Sequence, residues 1–197
     1  MTTPQEPAPL ADGAATPASE VPTRLVGLPP VVSDRTVVLV LGSFPGAASL
    51  KAQQYYGHPQ NHFWRILQSL WPQHPLPPAG PQHYAQRCAW LLERRLGLWD
   101  VYASCERDGS LDTSIRNAVV NDFAQLLREC PGLRAIAHNG GESFKHSAAV
   151  RQQWAGAYPG AQVQSVRLPS TSPANASWSF ERKQTAWAEL MAAHGLL

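Results

Sequence analysis

The sequence is poor in charged residues, and neither sign predominates. Charged side chains make up 15% of its 197 residues, and the formal net charge is +2. A balance of this kind permits binding to nucleic acid but does not indicate it, because a basic surface would have to arise from the placement of a few side chains. Apolar residues make up 44% of the chain, which is sufficient for one folded domain with a buried core.

Cysteine is also scarce. The chain has three cysteines, Cys88, Cys105 and Cys130, which are widely spaced and include no Cys-x-x-Cys pair. An odd number at such spacings argues against a disulfide framework, a zinc site or an iron–sulfur cluster, and favours buried, reduced thiols. His58 and His62 are four residues apart, as metal-binding histidines often are, but the glutamate of the zinc-protease motif is missing. We therefore predict no metal ion and no other cofactor.

Long apolar runs and a signal-like N-terminus are missing as well. No uninterrupted apolar run approaches the ~20 residues that a membrane-spanning helix needs, and the first residues do not follow the basic-then-apolar pattern of a signal peptide. Residues 1–33 are rich in Pro, Ala, Thr and Glu, so they cannot bury enough surface to offset the entropy cost of ordering. We predict a disordered tail over residues 1–33, a folded domain over residues 34–197, a cytoplasmic location and no membrane partner.

Apolar segments alternate with amphipathic ones along the remaining chain. Residues 37–41 form a continuous β-branched and apolar run, which is typical of a strand buried on both faces of a parallel sheet. Strands are predicted over 37–41, 98–102, 133–137 and 162–168. Helices are predicted over 84–96, 114–129, 142–154 and 179–194, and a further helix is predicted to start at Pro59. Strands separated by helices imply right-handed crossovers, so the predicted fold class is a three-layer α/β/α fold with a central four-stranded parallel sheet.

The unusual polar sequences follow the predicted strands. They lie at residues 42–46, 54–64, 104–113, 138–141 and 169–175. Because the carboxyl ends of parallel strands share one edge of a sheet, these segments are expected to converge there and to form a ligand site. The turn at 42–46 is not a phosphate-binding P-loop, since no Gly-Lys-Ser/Thr follows it, and Ser43 does not lie in the Gly-x-Ser-x-Gly sequence of an acyl nucleophile.

Two asparagines are candidates for this site. Asn61 would lie in the first turn of the helix that starts at Pro59, where an asparagine could also simply cap the helix. Asn139 follows the strand at 133–137, and its side-chain amide offers a donor and an acceptor that match the edge of a lactam such as uracil or hypoxanthine. An Asn-Gly-Gly sequence is also a common turn, so both interpretations of Asn139 are open.

Aromatic and hydroxyl side chains complete the set of candidates. Phe44, Tyr55 and Tyr56 are suited to stack against an extruded base, although each would also suit a protein core. The segment at 168–175 places three hydroxyls between two prolines, just before a helix. Such a loop could bind phosphates, insert into a duplex, or be an ordinary surface loop. Its candidate residues are Ser170, Thr171, Ser172, Pro173, Ala174 and Asn175.

The order and spacing of these segments resemble the uracil-DNA glycosylase superfamily from about residue 35 to the C-terminus. Within the superfamily, the hypoxanthine-DNA (deoxyinosine) glycosylase branch is the most similar. The resemblance is carried by the segments at 42–50, 55–64, 98–101, 109–112, 138–140 and 168–174, of which 56–64 is also similar to the mismatch-specific uracil glycosylases. The first motif of the superfamily usually holds a catalytic Asp or Asn, whereas residues 42–45 read Gly-Ser-Phe-Pro here.

The resemblance implies roles for the candidate residues. The catalytic role would pass from the first motif to Asn61. Tyr56 or Phe44 would stack on the base, Asn139 would recognise its edge, and Ser43 would lie with them in the base-binding site. The 170–175 loop would insert into DNA, and it carries Ser-Thr-Ser where some relatives have a catalytic histidine.

The implied function is hydrolysis of the N-glycosidic bond of a deaminated base, hypoxanthine or uracil, in base excision repair. The chain has three lysines, none at a recognised nucleophile position, so we expect no strand cleavage. The implied partner is double- or single-stranded DNA containing a deaminated base, bound by a monomer that associates with the nucleoid. Three alternatives are open: a uracil- or thymine-mismatch glycosylase, an inactive binder of damaged or single-stranded DNA, and an α/β domain that binds a small metabolite.

Overall fold

The computed structural model describes residues 24–197. Within this range the strands are β1 Arg24–Val26, β2 Val38–Gly42, β3 Leu96–Asp100, β4 Tyr102–Glu106, β5 Arg116–Val120, β6 Ala135–Asn139 and β7 Gln164–Leu168. The helices are α1 Ala47–Ala52, α2 Phe63–Leu70, α3 Tyr84–Glu93, α4 Phe123–Arg128, α5 Gly141–Phe144, α6 Ser147–Ala157 and α7 Phe180–Ala193. The helix predicted over 142–154 is therefore divided into α5 and α6.

Four strands form a parallel sheet in the order β3-β2-β6-β7. Every residue of β2 is buried, as expected for an apolar, β-branched strand at the centre of an α/β sheet. Leu41 on β2 lies opposite Trp99 on β3 and His138 on β6, so the carboxyl ends of these strands lie side by side. The predicted four-stranded parallel sheet is confirmed, with small shifts in the strand boundaries.

Helices cover both faces of this sheet. On one face, Val40 packs in a cluster with Phe63 of α2 and Trp187 of α7. On the other face, Leu41 packs in a cluster with residues of α4 and with Trp154 of α6. This arrangement confirms the three-layer α/β/α fold class. No helix in residues 24–197 is long and apolar enough to cross a membrane.

A second, antiparallel sheet of β1, β4 and β5 corrects two sequence predictions. Part of the loop predicted over 104–113 belongs to β4, and the helix predicted over 114–129 is wrong for residues 116–120, which form β5. The helix starts only at Phe123, because the Asp122 side chain caps it by accepting a hydrogen bond of 2.9 Å from the Ala124 N–H. Antiparallel pairing with the preceding strand, β4, overrides the local helical pattern.

The N-terminal boundary of the domain also differs from the prediction. Residues 24–26 form β1 and pair with β4, and Leu28 is buried in the core, so the disordered tail predicted over 1–33 is wrong for residues 24–33. The backbone carbonyls of Leu28 and Pro29 each accept a hydrogen bond of 3.1 Å from the Tyr55 hydroxyl. The rest of the predicted tail, residues 1–23, lies outside the described residues.

Candidate functional site

A cavity of about 560 Å³ lies at the carboxyl edge of the parallel sheet. Its volume is within the range of pockets that hold small organic molecules. The segments that follow β2 and β7 and the last residues of β3 and β6, Asp100 and Asn139, contribute to its walls, as strand carboxyl ends that share one edge require. The cavity is lined by every residue that sequence analysis selected for base or DNA binding: Ser43, Phe44, Tyr55, Tyr56, Asn61, Asn139, Ser170, Thr171, Ser172, Pro173, Ala174 and Asn175. Their roles stay predictions, but they share one cavity.

The loop that precedes α2 is held in place through Tyr55. Besides the bonds of its hydroxyl to the N-terminal segment, its backbone N–H donates a hydrogen bond of 3.0 Å to the Tyr84 hydroxyl. Its backbone carbonyl accepts a hydrogen bond of 3.1 Å from the Trp64 indole N–H. Tyr55 lines the cavity but is only 3% exposed, so most of it belongs to the core. These intramolecular hydrogen bonds hold the loop next to it in place.

Tyr56 is the aromatic residue most directly placed at the cavity. Its backbone has φ of 54°, an uncommon left-handed value for a non-glycine residue. One face of its ring stacks on Phe63, with 3.9 Å between the ring centroids, so only the other face could meet a base. Its hydroxyl is buried and has no hydrogen-bond partner among the described residues. Burial, followed by the nearby Asp100, raises the pKa of Tyr56, while the Asn139 side chain beside the hydroxyl lowers it by less.

Phe44 lines the cavity but is mostly part of the core. It is 6% exposed, and the Arg107 guanidinium lies 5.1 Å from its ring centroid. The same guanidinium donates a hydrogen bond to the Pro45 backbone carbonyl, which holds the turn between β2 and α1. A stacking role for Phe44 would therefore use only the small part of the ring that faces the cavity.

Asn61 lies in the turn before α2 and not in the first helical turn, so the predicted start of this helix at Pro59 is wrong. The helix starts at Phe63, and the Asn61 Oδ1 accepts a hydrogen bond of 2.9 Å from the Phe63 N–H. Asparagine commonly makes such a bond two residues along the chain, and it stabilises the helix start. An amide oxygen has two lone pairs, so Oδ1 retains one for a ligand or a water molecule.

Asn139 connects the end of β6 to the 170–175 loop. Its Nδ2 donates a hydrogen bond of 2.9 Å to the Thr171 hydroxyl, and its Oδ1 accepts one of 2.9 Å from the Thr171 N–H. Thr171 is completely buried. The Asn139 amide is therefore a support for the loop, and reading the edge of a base would use its second N–H and its remaining lone pair.

We expect Asn139→Ala to lower the free energy of unfolding by about 1–3 kcal/mol, because it leaves the buried Thr171 N–H without its acceptor. Urea denaturation followed by tryptophan fluorescence measures this change. Thr171→Ser, which keeps both bonds to Asn139, is the matched control and should cost less. An Asn139→Ala protein with an unchanged urea midpoint would show that these bonds do not support the loop.

Residues at the starts of α2 and α7 also support the 170–175 loop. The Thr171 carbonyl accepts a hydrogen bond of 3.0 Å from the His62 N–H, and the Ser172 carbonyl accepts one of 3.3 Å from the Lys183 ammonium. Lys183 is 1% exposed, and burial lowers its pKa. The tip of the loop, Pro173 and Ala174, is exposed. The loop therefore combines a fixed base with a tip that a large partner could contact.

Two acidic residues that sequence analysis did not select also line the cavity. Asp112, in the short turn after β4, accepts a hydrogen bond of 2.6 Å from the Ser43 hydroxyl, which places an acid beside the first-motif turn. Asp100 is 4% exposed, and its Oδ2 has no hydrogen-bond partner among the described residues. Burial, followed by Asp112, raises the pKa of Asp100 to about 7, against a smaller lowering by Arg107. The predicted strand at 98–102 placed Asp100 mid-strand, whereas β3 ends at this residue.

The arrangement of the His, Cys, Asp and Glu side chains determines whether the described residues could hold a metal ion. In residues 24–197 no group of three or more His, Cys, Asp or Glu side chains is arranged to hold a metal ion. The Nδ1 of His58 accepts a hydrogen bond of 3.2 Å from the Gln60 N–H. The polar side chains that line the cavity carry amides, hydroxyls, carboxyls and the His58 imidazole, which suit an organic ligand with hydrogen-bonding edges.

Comparison with known proteins identifies the family. The model of the Uracil DNA glycosylase superfamily matches residues 29–191. The chain is 35% identical over 167 residues to a hypoxanthine DNA glycosylase of Methanosarcina barkeri, which covers 83% of this chain and 95% of that protein. It is 34% identical over 157 residues to a hypoxanthine DNA glycosylase of Methanosarcina acetivorans, which covers 80% of this chain and 92% of that protein.

A solved structure agrees with the sequence matches. The solution NMR structure of a proposed uracil DNA glycosylase from Methanosarcina acetivorans superposes with a TM-score of 0.70 and is 31% identical in sequence. The match covers 88% of this chain and 99% of that one. The resemblance inferred from the motifs is therefore confirmed, and the chain belongs to the uracil DNA glycosylase superfamily as a DNA glycosylase.

Proposed function

We propose that the protein is a monofunctional DNA glycosylase that releases hypoxanthine from deoxyinosine in DNA by hydrolysis, with uracil as a second substrate. The observation that carries this proposal is the single cavity that Asn61, Asn139, Tyr56 and the 170–175 loop line together. Two relatives that are named hypoxanthine DNA glycosylases support the choice of hypoxanthine. The base would be extruded from the helix into this cavity, as enzymes that act on bases require.

The proposed reaction uses Asn61 to place the attacking water. An amide is not a base near neutral pH, so the free lone pair of Oδ1 would orient the water while the glycosidic bond breaks mainly by dissociation. The sugar then becomes cationic and the departing base gathers negative charge. Fixed donors around the cavity, such as the second N–H of Asn139, would stabilise that negative charge.

The proposed DNA contact lies at the tip of the 170–175 loop and at the basic side chains beside it. Arg65 of α2 lies 4.8 Å from the ring centroid of Phe180, and Arg182 lies 4.4 Å from that of Trp178. Both arginines are exposed and follow the starts of their helices, where they can meet phosphates. Double- or single-stranded DNA would bind here to one copy of the protein.

The direct test is incubation with a duplex that contains one deoxyinosine. We expect free hypoxanthine in the supernatant and a strand that breaks only after alkali treatment, because hydrolysis leaves an abasic site and no lysine takes part. An undamaged duplex of the same sequence is the control. A covalent adduct trapped by borohydride would contradict hydrolysis without a lysine intermediate.

The same experiment separates the alternatives. The Gly-Ser-Phe-Pro turn lacks the usual acid or amide, which is the observation that favours an inactive binder of damaged DNA. That alternative predicts salt-sensitive DNA binding with no free base. Efficient release from uracil or thymine mismatches, with none from deoxyinosine, would instead assign the chain to a mismatch-specific activity.

A further inference from the structure

One carboxyl group that lines the cavity has a buried oxygen atom without a hydrogen bond in residues 24–197. The Oδ2 atom of Asp100 is buried without a hydrogen bond among the described residues, and the residue lines the cavity. Buried polar atoms in native proteins are nearly always hydrogen-bonded, so an exception calls for a reason. The Tyr56 hydroxyl, which lines the same cavity, is likewise buried without a partner. Of the buried atoms without a geometric hydrogen bond in residues 24–197, only these two belong to residues that line the cavity, so a polar ligand there would be placed to complete their hydrogen bonds.

Gly42 provides the space for this carboxyl group. A Cβ atom at position 42 would lie well inside van der Waals contact with the Asp100 Oδ1, and 3.7 Å from the Tyr56 hydroxyl oxygen. Gly42 ends β2 and pairs with Asp100, which ends β3, so the two strand ends are adjacent. The absence of a side chain on one strand therefore makes room for the acid on the next.

We propose that Asp100 is a further catalytic residue, which acts as a general acid and transfers the proton of its carboxyl group to the departing base. This inference rests on the proposed glycosylase function. The electrons of the bond between C1′ and the base nitrogen pass to the base, and a ring nitrogen or the carbonyl oxygen of the base takes the proton from Asp100. Water adds to C1′ and releases a proton to solvent. Solvent then reprotonates Asp100 after the base has left.

The surroundings of Asp100 favour the acid form over the charged form. The ionisable groups near it are Asp112, Arg107 and the tyrosines Tyr55, Tyr56 and Tyr84. Burial and Asp112 raise the pKa of Asp100 to about 7, while Arg107 lowers it by less. A departing base that gathers negative charge would oppose an ionised Asp100, since like charges disfavour each other. A proton donor is therefore the role that suits both the protein environment and the reaction.

The test is the pH dependence of single-turnover hypoxanthine release by the wild type and by Asp100→Asn. Because the acid form is active, the wild-type rate should fall about tenfold per pH unit above a midpoint of about 7. Asparagine has nearly the same shape and can donate a hydrogen bond but not a proton. Asp100→Asn should therefore be about 10²-fold slower at low pH and should lack this decline, so that the two rates approach each other at high pH.

Folding stability supplies a readout that is independent of activity. The folded-state pKa of Asp100 lies above that of an unfolded chain, so its stabilising contribution is fully present below about pH 4 and is lost as pH rises through about 7. Asp100→Asn should remove this part of the stability profile. Asp108→Asn makes the same chemical change at an exposed residue outside the cavity lining. It should keep the wild-type rate and the wild-type pH dependence of both rate and stability.

The outcomes distinguish this inference from the function on which it rests. A wild-type protein that releases no base would overturn the proposed function. A wild-type protein that releases hypoxanthine, together with an Asp100→Asn variant of equal rate and equal pH decline, would overturn only the role of Asp100. A wild-type rate that rises with pH through 7 would also overturn it, since a rate that rises with pH is expected of a general base and not of a general acid.

Discussion

Replacing Asn61 with alanine is expected to slow hypoxanthine release by about 10²–10³-fold, the usual cost of removing one fixed polar group that acts in a transition state. The Asn61 Oδ1 retains one lone pair after it accepts the bond from the Phe63 N–H, and that lone pair would orient the attacking water. Single-turnover release from a deoxyinosine duplex measures the effect on the chemical step.

The helix-capping role of Asn61 needs its own control. Alanine also removes the acceptor of the Phe63 N–H, which should lower the free energy of unfolding by about 0.5–2 kcal/mol. Asn61→Asp keeps an acceptor oxygen at this position, so it should retain both the helix start and much more activity than alanine. Gln60→Ala, at the exposed neighbouring residue, should leave the rate unchanged. Base release close to the wild-type rate by Asn61→Ala would remove Asn61 from the mechanism.

Gly42→Ala should damage both activity and stability. The added Cβ would overlap the Asp100 carboxyl group, so this side chain must rotate out of its place or β2 and β3 must separate. We expect release to fall about 10²-fold, as small displacements in an active site commonly cause, and the free energy of unfolding to fall by about 1–3 kcal/mol. The two quantities are measured by the single-turnover assay and by urea denaturation.

Gly156→Ala is the matched control for this substitution. Gly156 lies in α6, and no heavy atom lies within 4 Å of a Cβ built there. Alanine in a helix interior is favoured over glycine by about 1 kcal/mol, so this variant should be slightly more stable and fully active. A Gly42→Ala protein that behaves like Gly156→Ala would show that the space above Gly42 is not needed for catalysis.

The parallel sheet and the location of the site could be predicted from the sequence because they depend on strong local signals. Residues 37–41 are apolar and β-branched throughout, and only a buried strand satisfies such a run. The rule that strand carboxyl ends share an edge then predicts that Asn61, Asn139 and the 170–175 loop lie together, and all of them line one cavity.

The features that sequence analysis missed depend on particular contacts in the folded chain rather than on local residue patterns. The segment Arg116–Val120 is exposed throughout and forms a strand only because β4 pairs with it. Asp100 has chemical interest only because burial, a nearby carboxylate and the missing side chain of Gly42 act together. The bonds that Asn61 and Asn139 make to backbone groups are equally invisible in a sequence, since any asparagine could cap, support or bind.

The hydrogen bonds around Tyr55 and Thr171 have a consequence for how lesions would be found. Hydrogen bonds within the protein fasten the loop before α2 and the 170–175 loop to the core, so the protein itself sets the shape of the cavity. The conformational change needed for recognition then takes place in the nucleic acid, where the nucleotide must unstack and unpair. Discrimination between bases would therefore begin in the duplex. A base that pairs weakly with the opposite strand would leave the helix more readily and would enter the cavity more often.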